Sequence, residues 1–222
     1  MREKRYLLFD LDGTLTDPKE GITKSVRHAL EHFGIHVKEL EQLTPFIGPP
    51  LTDSFESFYG FTHEQALEGV RVYREYFSVQ GWRENREYAG IREMLEALKR
   101  AGLSLFVATS KPEVYAKRIL DYFSMTEYFD FVGGADLEGK RVRKADVIRY
   151  TLAGAGLGED GGILKQAVMV GDREHYILGA KAVGLASVEV LYGYGSRGEL
   201  EAAGADAIVE TPRELAQLFV EL

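Results

Sequence analysis

The chain contains no cysteine among its 222 residues. Disulfide bonds, thiolate metal sites and cysteine nucleophiles are therefore excluded from its chemistry. No apolar run approaches the roughly 20 residues that cross a bilayer as a helix, so we expect no membrane association. The first residues also lack the basic-then-apolar pattern of a secretory signal, and we expect a cytoplasmic protein.

Basic residues are fewer than acidic ones. Lys and Arg number 27 against 35 Asp and Glu, which gives a formal net charge of −8. Such a surface repels phosphate backbones, so nonspecific nucleic-acid binding is disfavoured. An anionic substrate would need a local positive group, for which Lys111, Lys144 and a bound metal ion are the candidates. The length suits one domain with a sizeable insertion or two small ones, and either a monomer or a homodimer is compatible with it.

The most informative segment reads Tyr-Leu-Leu-Phe-Asp-Leu-Asp-Gly-Thr over residues 6–14. Its apolar half predicts a buried strand that ends at Asp10, and an open α/β sheet places its ligand crevice at the carboxyl ends of strands. Asp12 follows two residues later, and Gly13 permits a sharp turn. Two carboxylates here can hold magnesium, and one can attack phosphorus while the other moves protons. Taken alone, the segment also suits an ordinary polar turn.

Three further segments carry polar residues beside predicted strands or at the start of a helix. A strand over 103–108 is followed by a hydroxyl and N–H groups that can bind phosphate oxygens. A strand over 166–170 is followed by an acid, and a basic segment between the two strands precedes a helical pattern. The residues concerned are Thr109, Ser110 and Lys111 after the first strand, Lys144 in the basic segment, and Asp172 after the second strand.

Strand and helix patterns alternate from about residue 85. This alternation predicts an α/β fold with a Rossmann-like parallel sheet core and helices on both faces. Residues 17–84 show helical patterns without an obvious core strand, and Thr62 is expected to cap a long helix there. We therefore predict a catalytic core of residues 1–16 and 85–222 and an inserted helical cap of residues 17–84. A module inserted after the first strand can cover a site and exclude water.

With these segments in this order, the sequence resembles the haloacid dehalogenase-like hydrolase superfamily, and most closely its phosphoglycolate phosphatase-like branch. The resemblance covers nearly the whole chain. It rests on Asp-Leu-Asp-Gly-Thr-Leu-Thr-Asp from residue 10 and Gly-Asp-Arg-Glu-His from residue 171, with supporting loops at 46–51 and 192–196. It implies a magnesium-dependent phosphatase that hydrolyses a small phosphorylated metabolite through an aspartyl-phosphate intermediate. Phosphoglycolate is the favoured substrate and a nucleoside 5′-monophosphate is its nearest rival.

The resemblance also implies roles for individual residues. Asp10 is the expected nucleophile, and Asp12 protonates the leaving alcohol and then activates water. Thr109 binds the phosphoryl group, and Lys144 neutralises charge. The implied magnesium ligands are the Asp10 carboxylate, the Asp12 main-chain carbonyl and the Asp172 carboxylate. Further substrate contacts are expected from Gly13, Thr14, Ser110, Lys111 and Gly48.

One position departs from the family pattern. The fourth motif normally carries a second acid four residues after the first, where this chain has Tyr176. A phenol stays neutral near pH 7, so the site loses a negative charge. Loss of such a supporting group costs roughly 10–100-fold in metal affinity or activity. The departure leaves a catalytically impaired binding protein as an alternative, and a sugar-phosphate mutase with the same nucleophile is another.

Overall fold

The computed structural model describes residues 1–158 and 160–221. Eight strands occur in this part of the chain, and six of them form one parallel sheet. The strands are β1 Tyr6–Phe9, β2 Thr16–Asp17, β3 Arg86–Glu87, β4 Ser104–Pro112, β5 Phe131–Ala135, β6 Ala167–Gly171, β7 Ala186–Val190 and β8 Ala207–Val209. The large sheet has the order β5-β4-β1-β6-β7-β8, and β2 pairs with β3 in a separate sheet.

The described residues also form ten α-helices. They are α1 Lys19–His32, α2 Leu51–Tyr59, α3 His63–Tyr76, α4 Ile91–Arg100, α5 Glu113–Tyr122, α6 Lys144–Gly154, α7 Gly161–Gln166, α8 Glu174–Val183, α9 Arg197–Ala203 and α10 Pro212–Phe219. Short 3₁₀ segments occur at Leu40–Phe46 and Thr126–Tyr128, and a π-helical turn occurs at Phe77–Gly81. No helix among the described residues is both long and apolar enough to cross a bilayer.

Side chains alternate across the central strands and bury both faces of the sheet. Leu8 and Met169 belong to a core cluster with residues of α6 and α8. Leu7 and Phe9, which point to the opposite face, are fully buried as well. A parallel sheet covered on both faces is the α/β fold predicted from the sequence, and that prediction is confirmed.

The chain divides into two compact units. One unit comprises residues 1–16 and 87–222, and the other comprises residues 17–86. The sequence placed the second boundary after residue 84, two residues earlier. Residues 86 and 87 form β3, which pairs with β2, and the predicted domain bounds stay a prediction.

The C-terminal end of β4 differs from the prediction. The sequence ended this strand at residue 108, whereas β4 continues to Pro112 with a register irregularity after Thr109. Gly134 on β5 makes the continuation possible, because a Cβ there would lie 2.7 Å from the carbonyl oxygen of Lys111. The hydroxyl-bearing residues thus lie in the last part of a strand and not in a loop after it.

The unit of residues 17–86 has its own apolar interior and a well-capped long helix. Phe46 and Phe55 are buried there with ring centroids 5.1 Å apart. Thr62 caps α3 as predicted: its hydroxyl accepts from the N–H of Gln65 at 3.3 Å, and its own N–H donates to the Gln65 side chain at 2.9 Å. This reciprocal arrangement is a capping box.

Removing the cap should destabilise this unit. We expect Thr62→Ala to lower the free energy of unfolding by about 1 kcal/mol, because it leaves a helix N–H without its acceptor. Thr62→Ser keeps the hydroxyl and should stay near the wild type. Urea denaturation followed by circular dichroism measures both variants, and equal losses in the two would contradict the capping role.

Candidate active site

The charged side chains that the described structure buries gather at one edge of the sheet. Four are acids and two are lysines, and they lie at or near the carboxyl ends of β1, β4, β6 and β7 or at the start of α6. The six residues are Asp10, Asp12, Lys111, Lys144, Asp172 and Glu189. Burying an isolated charge is costly, so this concentration marks the edge as a site built for charged ligands.

Asp10 extends β1 by one residue. Its N–H donates to the Val170 carbonyl at 2.9 Å, so the ladder with β6 fixes its main chain. Burial raises the pKa of its carboxyl, and Lys144 partly offsets this effect. The hydroxyls of Thr109 and Tyr176 also lower this pKa, yet neither carboxylate oxygen has a fully formed hydrogen bond within the described residues. Both oxygens therefore remain able to bind a ligand.

Asp12 forms an ion pair that the sequence did not reveal. Its Oδ2 lies 2.6 Å from the Nζ of Lys111, and both side chains are nearly buried. The sequence predicts that Lys111 contacts substrate, and this stays a prediction; the structure joins Lys111 to the second aspartate. The N–H of Lys111 also donates to the hydroxyl of Thr109 at 3.2 Å. The end of β4 thus positions the second carboxylate beside the first.

Glycines bring Asp172 against the loop that follows β1. Gly13 has φ +83°, and a Cβ on it would lie 2.0 Å from the Oδ2 of Asp172. A Cβ on Gly193 would lie 2.4 Å from both the Asp172 Cβ and the Gly13 carbonyl. The same Oδ2 accepts from the N–H of Tyr194 at 2.8 Å, whereas Oδ1 is buried without a described partner. Residues 10–13 and Asp172 therefore form one compact group.

Lys144 and Tyr176 face each other beside this group. The Nζ of Lys144 lies 3.4 Å from the centroid of the Tyr176 ring, a distance suited to a cation–π contact. Gly179 allows α6 and α8 to approach, because a Cβ on it would meet the Lys144 Cβ at 2.6 Å. Burial lowers the pKa of Lys144 to about 8, and Asp10 and Asp172 oppose that effect.

Tyr176 is buried at the position where the family pattern has an acid. Its side chain is 1% exposed, and burial, followed by the charge of Asp10, raises the pKa of its hydroxyl well above its ordinary value. The phenol is therefore neutral, as the sequence predicted. The residue supplies a ring face to Lys144 and a hydroxyl toward Asp10.

Glu189 is a site residue that the sequence reasoning missed. It lies in β7, in register with Gly171, is fully buried, and has no described hydrogen-bond partner for either carboxylate oxygen. The segment Ala-Ser-Val-Glu-Val already showed an acid between apolar residues of a strand. That interruption of a buried strand was the available signal.

The remaining predicted site residues are Thr14, Ser110 and Gly48. Thr14 is buried in the loop after β1, and its carbonyl accepts from the Tyr192 hydroxyl at 3.0 Å. Ser110 lies in β4, with its hydroxyl buried and without a described partner. Gly48 belongs to the other unit, residues 17–86. Its contact with substrate, and that unit's role as a cap, stay predictions.

The donor set suits a small divalent cation. Both carboxylate oxygens of Asp10 and one of Asp172 are buried and have no hydrogen-bond partner in the described part of the chain, and oxygen ligands are those that magnesium prefers. Burial, followed by the nearby Asp10, raises the pKa of Asp172 to about 8. No group of three metal-binding His, Cys, Asp or Glu side chains occurs within the described residues. Two carboxylates with a main-chain oxygen, the predicted set, do not require such a group.

Comparisons with known proteins agree with this geometry. A family model described as haloacid dehalogenase-like hydrolase matches residues 7–190. A solved structure of a predicted phosphatase from Clostridium acetobutylicum superposes with a TM-score of 0.92 at 46% identity, covering 97% of each chain. A 5′-nucleotidase from Pseudomonas aeruginosa is 47% identical over 196 residues, which are 88% of this chain and 86% of that protein.

Two further relatives concern the predicted branch within the superfamily. A phosphoglycolate phosphatase from Aquifex aeolicus is 29% identical over 215 residues, 97% of this chain and 96% of that protein. The tyrosine-protein kinase PtkA from Mycobacterium tuberculosis is 41% identical over 191 residues, 86% of this chain but 63% of the kinase. The predicted superfamily and its phosphoglycolate phosphatase-like branch are confirmed, while the names of the relatives differ in substrate.

The raised pKa of Asp172 predicts how stability depends on pH. Because this pKa is about 8 against an ordinary value of 3.8, the folded protein holds a proton that the unfolded chain releases. Stability of the metal-free protein should therefore fall as pH rises from 5 to 8. Magnesium binds the deprotonated form, so its stabilising effect should be larger at pH 8 than at pH 6.

Thermal unfolding at the two pH values, with magnesium and with a chelator, measures both effects. Asp172→Asn should reduce the fall, to which Asp10 and Glu189 also contribute through their raised pKa values, and should remove the magnesium effect. Asp53→Asn, a change at an exposed residue of the other unit, should keep both. A magnesium effect that is the same at pH 6 and pH 8 would contradict the prediction.

Proposed function

Because the chain belongs to the haloacid dehalogenase-like hydrolase family, we propose that it is a magnesium-dependent phosphatase that hydrolyses a small phosphomonoester through an aspartyl-phosphate intermediate. The phosphatases among its relatives support a phosphoric monoester hydrolase. The observation that carries the mechanism is the pair of buried aspartates after β1. Asp10 has no fully formed hydrogen bond to either carboxylate oxygen within the described residues, and Asp12 is held by a buried lysine.

In the first half-reaction, a carboxylate oxygen of Asp10 attacks phosphorus. The ester P–O bond breaks, and its electron pair leaves with the alcohol oxygen, to which Asp12 gives a proton. Asp12 must enter this step protonated, and the contact between its Oδ2 and the Nζ of Lys111 holds it in place for the transfer. Covalent catalysis of this kind divides one difficult displacement into two easier ones.

In the second half-reaction, water hydrolyses the aspartyl phosphate. Asp12 now takes a proton from that water, which attacks phosphorus and releases inorganic phosphate while Asp10 is regenerated. One residue can serve as acid and then as base because the two steps run in opposite directions for its proton. Retention of Asp12 therefore favours hydrolysis over a long-lived phosphorylated protein.

Positive charge at the site makes the approach of two anions possible. The carboxylate and a phosphate dianion repel each other strongly where water is excluded. Lys144 is the chain's own cation for this purpose, since its Nζ is buried without a described hydrogen-bond partner and interacts with Asp10. The Asp10 and Asp172 carboxylates and the Asp12 main-chain carbonyl would hold magnesium, which supplies further charge neutralisation when bound.

Two substrate classes remain candidates within this mechanism. The resemblance to the phosphoglycolate phosphatase-like branch favours phosphoglycolate. The 47% identity to a 5′-nucleotidase, against 29% to a phosphoglycolate phosphatase, favours a nucleoside 5′-monophosphate. The reacting groups are the same for both substrates, so the residues described above do not separate them.

Loss of the nucleophile should abolish turnover. We expect phosphate release by the wild type to require magnesium and to fall to background in Asp10→Asn, because an amide cannot form the intermediate. Phosphate release is measured colorimetrically with magnesium and with chelator. Activity in Asp10→Asn above one hundredth of the wild type would exclude the covalent route, and no release by the wild type from any substrate would favour a catalytically impaired binding protein.

Relative kcat/KM values should identify the substrate class. The panel comprises phosphoglycolate, several nucleoside 5′-monophosphates, sugar phosphates and pyridoxal phosphate at equal magnesium. On the identity to the nucleotidase, we expect the nucleotides to exceed phosphoglycolate by at least tenfold. The reverse order would return the assignment to phosphoglycolate, and an isomerised sugar phosphate without free phosphate would indicate a mutase.

A further inference from the structure

The buried charges at the sheet edge do not balance. With all six groups ionised, the four acids exceed the two lysines by two negative charges. A dry interior tolerates unpaired charge poorly, and a bound divalent cation would offset two negative charges. Without Glu189 the excess would be only one, although a second acid is expected in helix α8 and Tyr176 stands there. Glu189 in β7 thus provides a carboxyl group that α8 lacks at Tyr176.

The register of the sheet places Glu189 on the side of Tyr176. Residues paired in a parallel sheet point to the same face, and neighbouring strands lie about 4.8 Å apart. Glu189 pairs with Gly171, and a Cβ on Gly171 would lie 2.6 Å from the Tyr176 ring. The glutamate side chain therefore leaves the sheet next to the tyrosine that replaces the acid.

The same face also carries the nucleophile. Leu8 packs in the core cluster with Tyr176, and Asp10, two residues further along the strand direction, points to the same face. Asp10, Gly171 and Glu189 thus form a row across β1, β6 and β7. Asp172 directly follows the middle member of that row.

Electrostatic interactions agree with this placement. Burial raises the pKa of Glu189 well above its ordinary value, and the next contributions come from Asp172 and Asp10. Both carboxylate oxygens are buried without a described hydrogen-bond partner. Glu189 is thus near enough to Asp172 and Asp10 for their charges to act on its carboxyl group.

We propose that Glu189 supplies from β7 the second acidic group that Tyr176 leaves out of α8, and so supports a divalent cation held by Asp10 and Asp172. Glu189 acts as a positioning residue: it balances the charge of the cation and accepts hydrogen bonds from water around it. This inference rests on the proposed magnesium dependence, but it concerns metal affinity and not turnover.

Metal binding without substrate tests the proposal. Mn²⁺ serves as the probe, and electron paramagnetic resonance counts the free ion; competition with Mg²⁺ gives the magnesium affinity. We expect Glu189→Gln, which keeps the shape and removes the charge, to weaken affinity roughly 10–100-fold. The matched control is Glu201→Gln, on an exposed acid of α9, and it should bind as the wild type does. Wild-type affinity in Glu189→Gln would overturn the proposal.

Two readouts separate this role from a structural one. Metal-free Glu189→Gln should melt at or above the wild-type temperature, because it replaces a carboxyl group whose ionised form is disfavoured by burial and by two neighbouring acids. A lower melting temperature together with weaker binding would instead indicate a fold defect and overturn the proposal. Adding Tyr176→Asp to Glu189→Gln should recover at least half of the lost affinity on a logarithmic scale, and no recovery would also contradict it.

The outcomes also separate this inference from the proposed function. Metal affinity that depends on Glu189, in a protein that releases no phosphate from any substrate, would support the inference and contradict the phosphatase. Magnesium-dependent phosphate release together with unchanged metal affinity in Glu189→Gln would support the phosphatase and contradict the inference.

Discussion

Burial of like charges at one sheet edge is the constraint on which the rest of the structure depends. Carboxylates of Asp10, Asp172 and Glu189 lie in the interior, and five of their six oxygens have no hydrogen-bond partner among the described residues. Their mutual repulsion and desolvation oppose folding, and a cation in their midst relieves both. Glycines around Asp172 allow these groups to approach one another, because a Cβ at Gly13 or Gly193 would collide with the Asp172 side chain. Burial of these like charges lowers the stability of the fold at this edge and creates a site for a charged ligand.

The chain also shows how a site accommodates an unusual residue. Tyr176 removes an acid from α8, yet its ring faces the Nζ of Lys144 and its hydroxyl is directed toward Asp10. A neutral aromatic ring can hold an ammonium group in a dry environment without adding a charge. The negative charge that is lost there reappears in β7 as Glu189. Charge balance at the site is thus a property of the whole edge and not of one motif.

Much of this arrangement could be predicted from the sequence. Strand and helix periodicity predicted the parallel sheet, and acids after apolar runs predicted the edge at which Asp10 and Asp172 meet. The ion pair between Lys111 and Asp12 could not be predicted, because it depends on β4 continuing past Thr109 against Gly134. Glu189 was missed because strand patterns locate an acid in a strand but do not say which buried groups surround it. The place of residues 17–86 as a cap, and the role of Gly48, stay predictions.

The central claim is that a divalent cation completes this buried cluster. The most direct measurement is a crystal structure of the protein with Mn²⁺, with the ion located by its anomalous scattering. The account predicts one peak between the carboxylates of Asp10 and Asp172, with Glu189 directed toward the water around the ion. No peak at saturating Mn²⁺, or a peak with the Glu189 carboxylate turned away into hydrogen bonds of its own, would contradict it.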